Sequence, residues 1–406
     1  MTLGNCLILQ DFKSEPFFGW LEVEDGKIKK VVEGRHEDVD QPLEGKLVIP
    51  ALYNTHTHAA MCLLRGVAED VPFEEWLFGR ILPLEERLTE EMVYYGTILA
   101  QMEMARNGVV GFADMYFHED AVARAVADFG LRALLTRGLV DVGGDDGGRL
   151  KENLKLYEKW NGYDGRIFVG LGPHSPYSCS RGYLKRIFDV AKEYDIPVVI
   201  HLYETARERY DLEELLRLGL GEVKVIAAHC VHVPTEKLPL LSKLNFYVSH
   251  NPTSNLKLGN GVAPVREMLR KGVKVTLGTD GPASNNTLNI FHEMRLASLL
   301  QKMEDPSALD VETCLKMATV DGAEALGFEG GAIREGFEAD LVVLDLKKPS
   351  FFPFRHVKRH LVHAFSGEVF ATMVKGRWVY FNGEYPTIDE GEVYKKLAEI
   401  EEKLYS

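Results

Sequence analysis

The sequence lacks the features that would mark a redox protein, a zinc finger or a membrane protein. Its five cysteines are widely scattered, and none forms the C-x-x-C spacing of a zinc-binding or thioredoxin-like motif. No apolar run approaches the ~20 residues that a membrane-spanning helix needs, and the first residues carry no signal-peptide pattern. We therefore expect buried thiols, no membrane partner and a cytoplasmic location.

Basic charge is also scarce in this chain. It has 47 lysines and arginines against 61 aspartates and glutamates, which gives a formal net charge of -14. This balance disfavours a general polyanion-binding surface, so we expect no nucleic-acid partner. The 406 residues, 46% of them hydrophobic, are enough for one large domain and a smaller one.

Strand-like segments occur near both ends of the chain. Sheets of two or three strands need a partner to bury their apolar face. The two ends are therefore predicted to meet in one small β-sandwich domain, formed by residues 1–49 and 331–406. The strand-like segments are Cys6–Leu9, Gly19–Val23, Lys27–Val31, Asp340–Leu344 and Phe370–Phe381.

Between the ends, β-rich apolar runs alternate with longer helical stretches, which is typical of βα units on a parallel sheet. One such helix is predicted from Thr89 to Arg106, before an Asn107-Gly108 stop signal. Eight consecutive units favour an α/β fold with a (β/α)8 TIM-like barrel over residues 50–330. The eight runs are Leu47–Tyr53, Val109–Ala113, Ala133–Arg137, Ile167–Leu171, Val198–Leu202, Val223–Ala228, Phe246–Ser249 and Lys274–Leu277.

Metal-binding side chains follow several of these runs. In a barrel the carboxyl ends of the strands share one face, where such folds place their chemistry. His56 and His58 are two residues apart, and alternate side chains of a strand point the same way, so both imidazoles reach one ion. His201 and Asp280 complete a predicted four-ligand site that leaves a position for water. Zinc is the expected ion, with iron or nickel as alternatives.

Each of these histidines, taken alone, is explained better as a polar packing residue than as a ligand. A random distribution of polar residues does not explain four metal-binding side chains at the carboxyl ends of predicted strands. The amino ends of these strands carry no comparable cluster. Other histidines, such as His232 and His250, lack partners in sequence and are predicted to be surface, packing or turn residues.

Several motifs resemble the nucleobase-deaminase branch of the amidohydrolase superfamily, and within it the 5′-methylthioadenosine/S-adenosylhomocysteine deaminases. The resemblance covers nearly the whole chain, and it implies a metal-dependent barrel with a small second domain. The segments that carry it are Pro50–His58, Met61–Gly66, His201–Thr205, Ala228–His232, Ser249–Asn255, Leu277–Gly281, Ser284–Asn286, Gly331–Gly336 and Ala339–Val343.

The resemblance implies hydrolytic deamination of adenosine-type nucleosides to the inosine analogue and ammonia. Asp280 is expected to take a proton from the attacking water and to return it to the departing amine. A protonated Glu204 is expected to protonate purine N1, although such a residue alone would be read as a solvated carboxylate. His229 is expected to orient the attacking oxygen, with a role as a weak extra ligand as the alternative.

The resemblance also implies a set of substrate contacts around the barrel mouth. Glu85 is expected to bind ribose, and Trp76 to form an apolar wall, with core packing as the alternative reading of Trp76. Arg137, Arg149 and His174 are expected to contact the substrate and suit a homocysteine-like carboxylate. An arginine such as Arg149 is also consistent with a solvated surface charge.

Other functions remain open at the level of sequence. Two-metal amide-ring hydrolases use a carboxylated lysine on the fourth strand, but here that strand is followed by Gly172-Pro173-His174, which favours one metal. Guanine deaminases and triazine dechlorinases share the same core, and a catalytically dead scaffold would need missing ligands. The H-x-E and P-C-x-x-C signature of nucleic-acid deaminases is absent.

Overall fold

A computed structural model describes residues 1–145, 147–303 and 305–406 of the chain, and these residues form seventeen strands and fifteen α-helices. No helix in these ranges is both long and apolar enough to cross a membrane. The strands are β1 Thr2–Ile8, β2 Phe17–Glu24, β3 Lys27–Glu33, β4 Gln41–Pro42, β5 Lys46–Pro50, β6 Leu52–Thr57, β7 Val109–Tyr116, β8 Arg132–Leu139, β9 Ile167–Val169, β10 Gly172–Pro173, β11 Val198–Leu202, β12 Val225–His229, β13 Phe246–His250, β14 Lys274–Leu277, β15 Leu341–Asp345, β16 Ala371–Val374 and β17 Arg377–Phe381.

The helices vary from one turn to four or five turns. In chain order they are α1 Leu82–Glu85, α2 Glu90–Arg106, α3 Glu119–Phe129, α4 Gly148–Trp160, α5 Arg181–Tyr194, α6 Leu212–Arg217, α7 Leu238–Leu241, α8 Pro252–Lys257, α9 Val265–Arg270, α10 Pro282–Asn285, α11 Ile290–Gln301, α12 Val311–Ala318, α13 Val320–Leu326, α14 Val357–His363 and α15 Glu390–Tyr405. A π-helix at Glu75–Ile81 precedes α1. Short 3-10 turns lie at Ala59–Leu64, Leu220–Glu222, Thr235–Lys237, Pro349–Phe351 and Phe354–His356.

The largest sheet contains strands from both ends of the chain. Its order is β17-β16-β15-β5-β1-β2-β3, and β4 pairs with β1. The antiparallel pair of β15 and β5 joins the two groups, with Leu341 opposite Pro50 and Asp345 opposite Lys46. Both ends of the chain thus contribute strands to one sheet.

The remaining nine strands form two parallel sheets. One has the order β6-β7-β8-β10 with β9 beside β8, and the other has the order β11-β12-β13-β14. Backbone hydrogen bonds connect the sheets at two places. The Val199 N–H donates to Leu171 O and the Asp280 N–H donates to His56 O, both at 2.9 Å. These links bring His56, His201 and Asp280 to one edge of the parallel strands.

The first predicted run, Leu47–Tyr53, divides between two sheets. Its first half lies in β5 of the terminal sheet, and the chain continues after Ala51 as β6 of a parallel sheet. The Ala51 N–H still reaches Asp340 O at 3.3 Å, whereas the Leu52 N–H donates to Gly108 O at 3.0 Å. The prediction of a single strand was wrong here, because the apolar run continues across the residue where the pairing partner changes.

Helix α2 has the boundaries that its capping residues predict. The Thr89 side chain accepts a hydrogen bond from the Met92 N–H at 3.3 Å. Glu90 and Glu91 lie in the first turn, where negative charge is favourable, and Asn107 ends the helix. This confirms the helix expected from Thr89 to Arg106.

The last helix, α15, packs against the large core. Its Ile400 and Leu404 side chains belong to the main cluster of buried apolar residues. The Tyr405 hydroxyl donates to Leu63 O at 2.7 Å, just after the predicted metal-ligand segment. The helix therefore contacts the chain segment that follows β6, although the sequence groups it with the small domain.

A buried charge cluster joins β8 to the terminal sheet. Arg132 is fully buried, and its guanidinium lies 2.7 Å from the Asp340 carboxylate and 2.6 Å from the Glu338 carboxylate. The Tyr53 hydroxyl donates to the same Asp340 side chain at 3.0 Å. Each charge depends on the others, because an unpaired buried charge is strongly destabilising.

Candidate active site

Four side chains at the carboxyl ends of the parallel strands converge on one point. The ligand atoms of His56, His58, His201 and Asp280 all lie within 4.8 Å of one another. Asp280 Oδ1 is 3.4 Å from His56 Nε2 and 3.2 Å from His58 Nε2. The structure thus brings together the four residues that the sequence predicts as metal ligands.

The hydrogen bonds of the histidine rings suit metal binding. His58 Nδ1 lies 2.6 Å from Met115 O, and His201 Nδ1 lies 2.7 Å from His174 O. A carbonyl oxygen only accepts, so each Nδ1 carries the proton and each Nε2 keeps a lone pair for an ion. His56 is fully buried, yet neither ring nitrogen has a hydrogen-bond partner within the described ranges. These residues therefore form a site for one divalent metal ion.

The carboxylate of Asp280 is held by two serines, one from α8 and one from α10. Its Oδ2 accepts hydrogen bonds from Ser254 Oγ at 2.6 Å and from Ser284 Oγ at 2.8 Å. Burial opposes charge on this carboxyl, but the adjacent imidazoles of His56 and His58 outweigh burial and hold its pKa well below the ordinary value. Asp280 is therefore a carboxylate at neutral pH, with one oxygen directed to the histidines and the other to the serines.

The backbone turns sharply where three of these strands end. Tyr203, His229 and Asp280 have φ angles of 49°, 72° and 62°. Residues with a side chain rarely adopt this left-handed region, and such strain clusters at functional sites. At Asp280 the turned backbone is tied to the co-ligand His56 by the N–H to carbonyl bond of 2.9 Å. The strained turn therefore fixes the spacing of these two ligands.

Glu204 and His229 lie beside the four ligands. Glu204 follows β11 and is only 7% exposed, and burial raises the pKa of its carboxyl. His229 ends β12, is fully buried, and places Nδ1 2.8 Å from Asn255 Oδ1. Its Nε2 has no hydrogen-bond partner among the residues that the structure covers, and lies 3.9 Å from Glu204 Oε1. A carboxyl with a raised pKa and an imidazole with an unpaired nitrogen thus lie side by side.

His174 and Trp76 are close to the ligand cluster. The His174 ring centroid is 4.7 Å from that of His201. Burial lowers the pKa of His174 to about 3, so this ring is neutral at physiological pH. Trp76 is 6% exposed, and its Nε1–H donates to Ala283 O at 3.2 Å, three residues beyond Asp280. His174 therefore lies beside the predicted ligand His201, and Trp76 contacts the turn that follows Asp280.

Glu85 is a further, partly buried carboxyl near the cluster. Its Oε1 is buried and has no hydrogen-bond partner within the described residues. Burial raises the pKa of Glu85, while the Tyr116 hydroxyl and the charge of His58 lower it. The carboxyl therefore lies within electrostatic range of a predicted metal ligand and has an oxygen available for a ligand hydroxyl.

The two predicted substrate arginines have partners within the protein. Arg137 Nε lies 2.9 Å from Glu152 Oε2. Arg149 Nη1 donates to Val140 O at 2.7 Å. Within the part of the chain that the structure covers, no hydrogen bond or ion pair joins either arginine to the four ligands. A substrate contact of these two residues therefore stays a prediction.

Comparison with known proteins covers the whole chain. The model of the amidohydrolase family matches residues 47–379. A protein from Thermotoga maritima, named 5-methylthioadenosine/S-adenosylhomocysteine deaminase, is 68% identical over 406 residues, and the match covers 100% of both chains. This chain belongs to the amidohydrolase family.

Two further proteins are similar to this amidohydrolase over nearly its full length. A 5'-deoxyadenosine deaminase from Methanocaldococcus jannaschii is 42% identical over 405 residues, covering 95% of this chain and 96% of the relative. The crystal structure of an adenosine deaminase from Xanthomonas campestris with bound zinc superposes with a TM-score of 0.94 at 31% identity, covering 100% of this chain and 98% of the other.

Sequence reasoning missed the residues that hold the polar groups of this amidohydrolase in place. They are serines and asparagines in the segments that follow β13 and β14, namely Ser254, Asn255, Asn260 and Ser284. Ser254, Asn255 and Ser284 lie in segments that carry the family resemblance, but the sequence assigns them no role, and Asn260 lies outside those segments. No spacing rule pairs such a residue with a side chain on another strand, because the pairing depends on how the loops pack.

Proposed function

We propose that this protein catalyses the zinc-dependent hydrolytic deamination of adenosine-type nucleosides. The substrates would be 5′-methylthioadenosine, S-adenosylhomocysteine and adenosine, and the products the inosine analogue and ammonia. The observation that carries the proposal is the convergence of three imidazoles and a carboxylate, with Glu204 and His229 beside them. The names of the relatives support the substrate class, because each describes the deamination of an adenosine derivative.

Zinc is the proposed ion, with iron or nickel as alternatives. His56, His58, His201 and Asp280 would hold it, and a set of three nitrogens and one carboxylate oxygen suits zinc. When bound, the ion supplies Lewis-acid chemistry, which makes water a competent nucleophile near neutral pH. The Xanthomonas campestris structure, which contains zinc, supports this choice.

Asp280 is proposed to move the proton of the attacking water. Its carboxylate form is favoured at neutral pH, as a general base requires. The hydroxyls of Ser254 and Ser284 hold one oxygen, so the carboxylate does not rotate away from the reacting atoms. Asp280 would return the proton to the amine as the carbon–nitrogen bond breaks, which makes ammonia the leaving group.

Glu204 and His229 are proposed to act on the purine and on the attacking oxygen. Addition of oxygen at C6 moves an electron pair onto N1, and a protonated Glu204 supplies the proton that N1 then needs. The raised pKa of Glu204 supports this role, because burial favours the neutral acid. His229 would orient the attacking oxygen through its unpartnered Nε2.

The remaining predicted residues are proposed to bind the rest of the substrate. Trp76 and His174 would line the purine pocket, and Glu85 would accept hydrogen bonds from the ribose hydroxyls. Arg137 and Arg149 would bind the carboxylate of an amino-acid tail. Binding such a tail would require the guanidinium groups to exchange or share their present partners, Glu152 and the Val140 carbonyl.

We also propose a fold and domain division for this enzyme. The hydrogen bonds between the two parallel sheets support closure into a (β/α)8 barrel over residues 50–330. The apolar cluster shared by strands from both ends supports a small β-sandwich domain of residues 1–49 and 331–406. Five free, buried cysteines support a cytoplasmic location, where thiols stay reduced.

The test is ammonia release from a panel of aminopurines by purified, zinc-loaded enzyme. We expect activity with 5′-methylthioadenosine, S-adenosylhomocysteine, adenosine and 5′-deoxyadenosine, loss of activity on chelation, and recovery when zinc is restored. Activity only with guanine or an aminotriazine, or with no amine at all, would contradict the proposal.

The same assay locates the tail pocket. Arg149→Ala is expected to lower kcat/KM for S-adenosylhomocysteine by about tenfold or more, and to change that for adenosine much less. Arg124→Ala is the matched control, because Arg124 is an exposed arginine paired only with surface carboxylates. Equal losses for both substrates would place Arg149 outside the tail pocket.

A further inference from the structure

One side chain outside the predicted set contacts the proposed proton donor directly. The Asn260 Nδ2–H donates to Glu204 Oε1 at 3.2 Å. Asn260 is 8% exposed and Glu204 is 7% exposed, so the bond lies in a buried environment. Glu204 Oε1 is also the oxygen that faces His229 Nε2, at 3.9 Å. Within the residues that the structure describes, Glu204 Oε2 accepts no hydrogen bond.

The backbone of Asn260 is itself held in place by two hydrogen bonds. Its N–H donates at 2.8 Å to the carbonyl oxygen of Asn255, which lies in the preceding helix α8. Its carbonyl oxygen accepts a hydrogen bond from His232 Nε2 at 2.8 Å, so that ring nitrogen carries the proton. Gly259 and Gly261, on either side, have φ angles of 71° and 112° and allow the tight turn that presents the amide.

His232 connects this loop to the strand that carries Glu204. Its N–H donates to Tyr203 O at 2.9 Å, one residue before Glu204, while its ring reaches Asn260. His232, predicted from the sequence to be a surface or packing residue, thus bridges the ends of two segments. The distance between the Asn260 amide and the Glu204 carboxyl is therefore set by a continuous chain of hydrogen bonds.

We propose that Asn260 is a positioning residue that decides which oxygen of Glu204 carries the acidic proton. This inference rests on the proposed deaminase function. Because the Asn260 amide donates to Oε1, that oxygen keeps its lone pair and the proton resides on Oε2. As water oxygen adds to C6, the Oε2–H bond breaks, its electron pair stays on Oε2, and the proton forms the new bond to N1.

The hydrogen bond from Asn260 is expected to accelerate the chemical step rather than to bind substrate. Glu204 gains negative charge as it gives up its proton, and an amide N–H bonds a carboxylate more strongly than a neutral acid. The bond therefore strengthens from the ground state to the transition state, which raises kcat and leaves KM nearly unchanged. A residue that only supported the fold would not separate the two constants in this way.

The test compares Asn260→Asp and Asn260→Leu with wild-type enzyme on adenosine, with zinc content and melting temperature measured for each. Both variants lose the amide donor, and the aspartate keeps the shape of asparagine. We expect kcat to fall about 10- to 100-fold with KM changed by less than about threefold and one zinc per chain retained. Asn5→Asp is the matched control, because Asn5 is a 4% exposed asparagine that donates to His36 O in the terminal sheet.

A second variant leaves the buried Asn260 side chain unchanged. His232→Leu removes the ring donor to Asn260 at an exposed position, and it is expected to lower kcat several-fold with KM unchanged. If the Asn260 and His232 variants keep the wild-type kcat, the inference is overturned while the proposed function stands. The same holds if Asn5→Asp lowers kcat as much as the Asn260 variants do. A wild-type enzyme that releases no ammonia from any adenosine nucleoside would overturn the proposed function, and the inference with it.

Discussion

The chemistry of the individual site residues depends on which atom each side chain leaves free. The carbonyl oxygens of Met115 and His174 accept hydrogen bonds from Nδ1–H of His58 and His201, respectively. The Nε2 atom of each ring is therefore available to a metal ion. The same principle applies to His229, which is proposed to orient the attacking oxygen. Nδ1 of His229 is hydrogen-bonded to Oδ1 of Asn255, and Nε2 of His229 remains available. Hydrogen bonds from neighbouring loops therefore assign roles that the residue types alone leave open.

The pH dependence of turnover tests the role of Glu204. Burial raises the pKa of this carboxyl above its ordinary value of 4.5, and the protonated form is the one proposed to protonate N1. The fraction of enzyme with a protonated Glu204 is complete well below the raised pKa, and it falls as the pH rises through that pKa. We expect kcat on adenosine to decrease on the alkaline side, and Glu204→Gln to remove that limb while lowering kcat by about 10²- to 10⁴-fold.

A control separates this effect from a general loss of carboxylates. Glu222→Gln changes an exposed glutamate that pairs with Lys192 on the surface, and it should keep both kcat and the pH profile of the wild type. If Glu204→Gln retains the alkaline limb, another group is responsible for it and the role of Glu204 as the acid is refuted.

The sequence predicts some of these residues and not others for a physical reason. His56 and His58 lie on one strand, where the alternation of side chains is a local rule, so their convergence is predictable. Ser254 and Asn260 act on side chains of other strands across a loop, and local rules do not extend that far. Their partners are defined only once α8 and the loop after it have packed.

At the scale of elements, predictions succeeded where one local signal defines a boundary. The cap at Thr89 and the acidic first turn define helix α2, and the structure agrees. The run Leu47–Tyr53 gives no such signal, because apolar residues continue while the chain changes its pairing partner from β15 to β7. A strand boundary of this kind depends on tertiary pairing, and the hydrophobicity pattern alone does not predict it.

The C-terminal helix α15 is an element whose contribution to stability is directly testable. Leu404 is fully buried in the large core, so Leu404→Ala is expected to lower the free energy of unfolding by about 2–5 kcal/mol. Tyr394 on the same helix is 53% exposed, and Tyr394→Ala is the matched control with an expected change of about 0.5 kcal/mol or less. Chemical denaturation measures both, and equal effects would show that α15 does not pack as described.

At the scale of the whole molecule, the terminal sheet and the parallel strands are connected through buried charge. Arg132 belongs to β8, and its carboxylate partners Glu338 and Asp340 precede β15. The sequence shows no sign of this cluster, because the residues are about two hundred positions apart. The cluster makes the docking of the two parts sensitive to a single substitution.

Breaking this cluster should destabilise the protein strongly. Arg132→Met leaves the Asp340 carboxylate buried without its cation, so we expect a loss of about 3–5 kcal/mol in the free energy of unfolding. The double variant Arg132→Met with Asp340→Asn should recover part of that loss, since it removes the uncompensated charge. Arg124→Met, at an exposed ion pair, should cost about 1 kcal/mol or less. Additive losses in the double variant would contradict the coupling.

The most direct test of the central claim is a crystal structure of the active enzyme with anomalous scattering at the zinc edge, together with metal analysis of the same preparation. The account predicts one zinc per chain, bound at about 2.0–2.2 Å by His56, His58, His201 and Asp280. Two bridged ions, or a single ion held by other residues in an enzyme that still deaminates adenosine nucleosides, would contradict it.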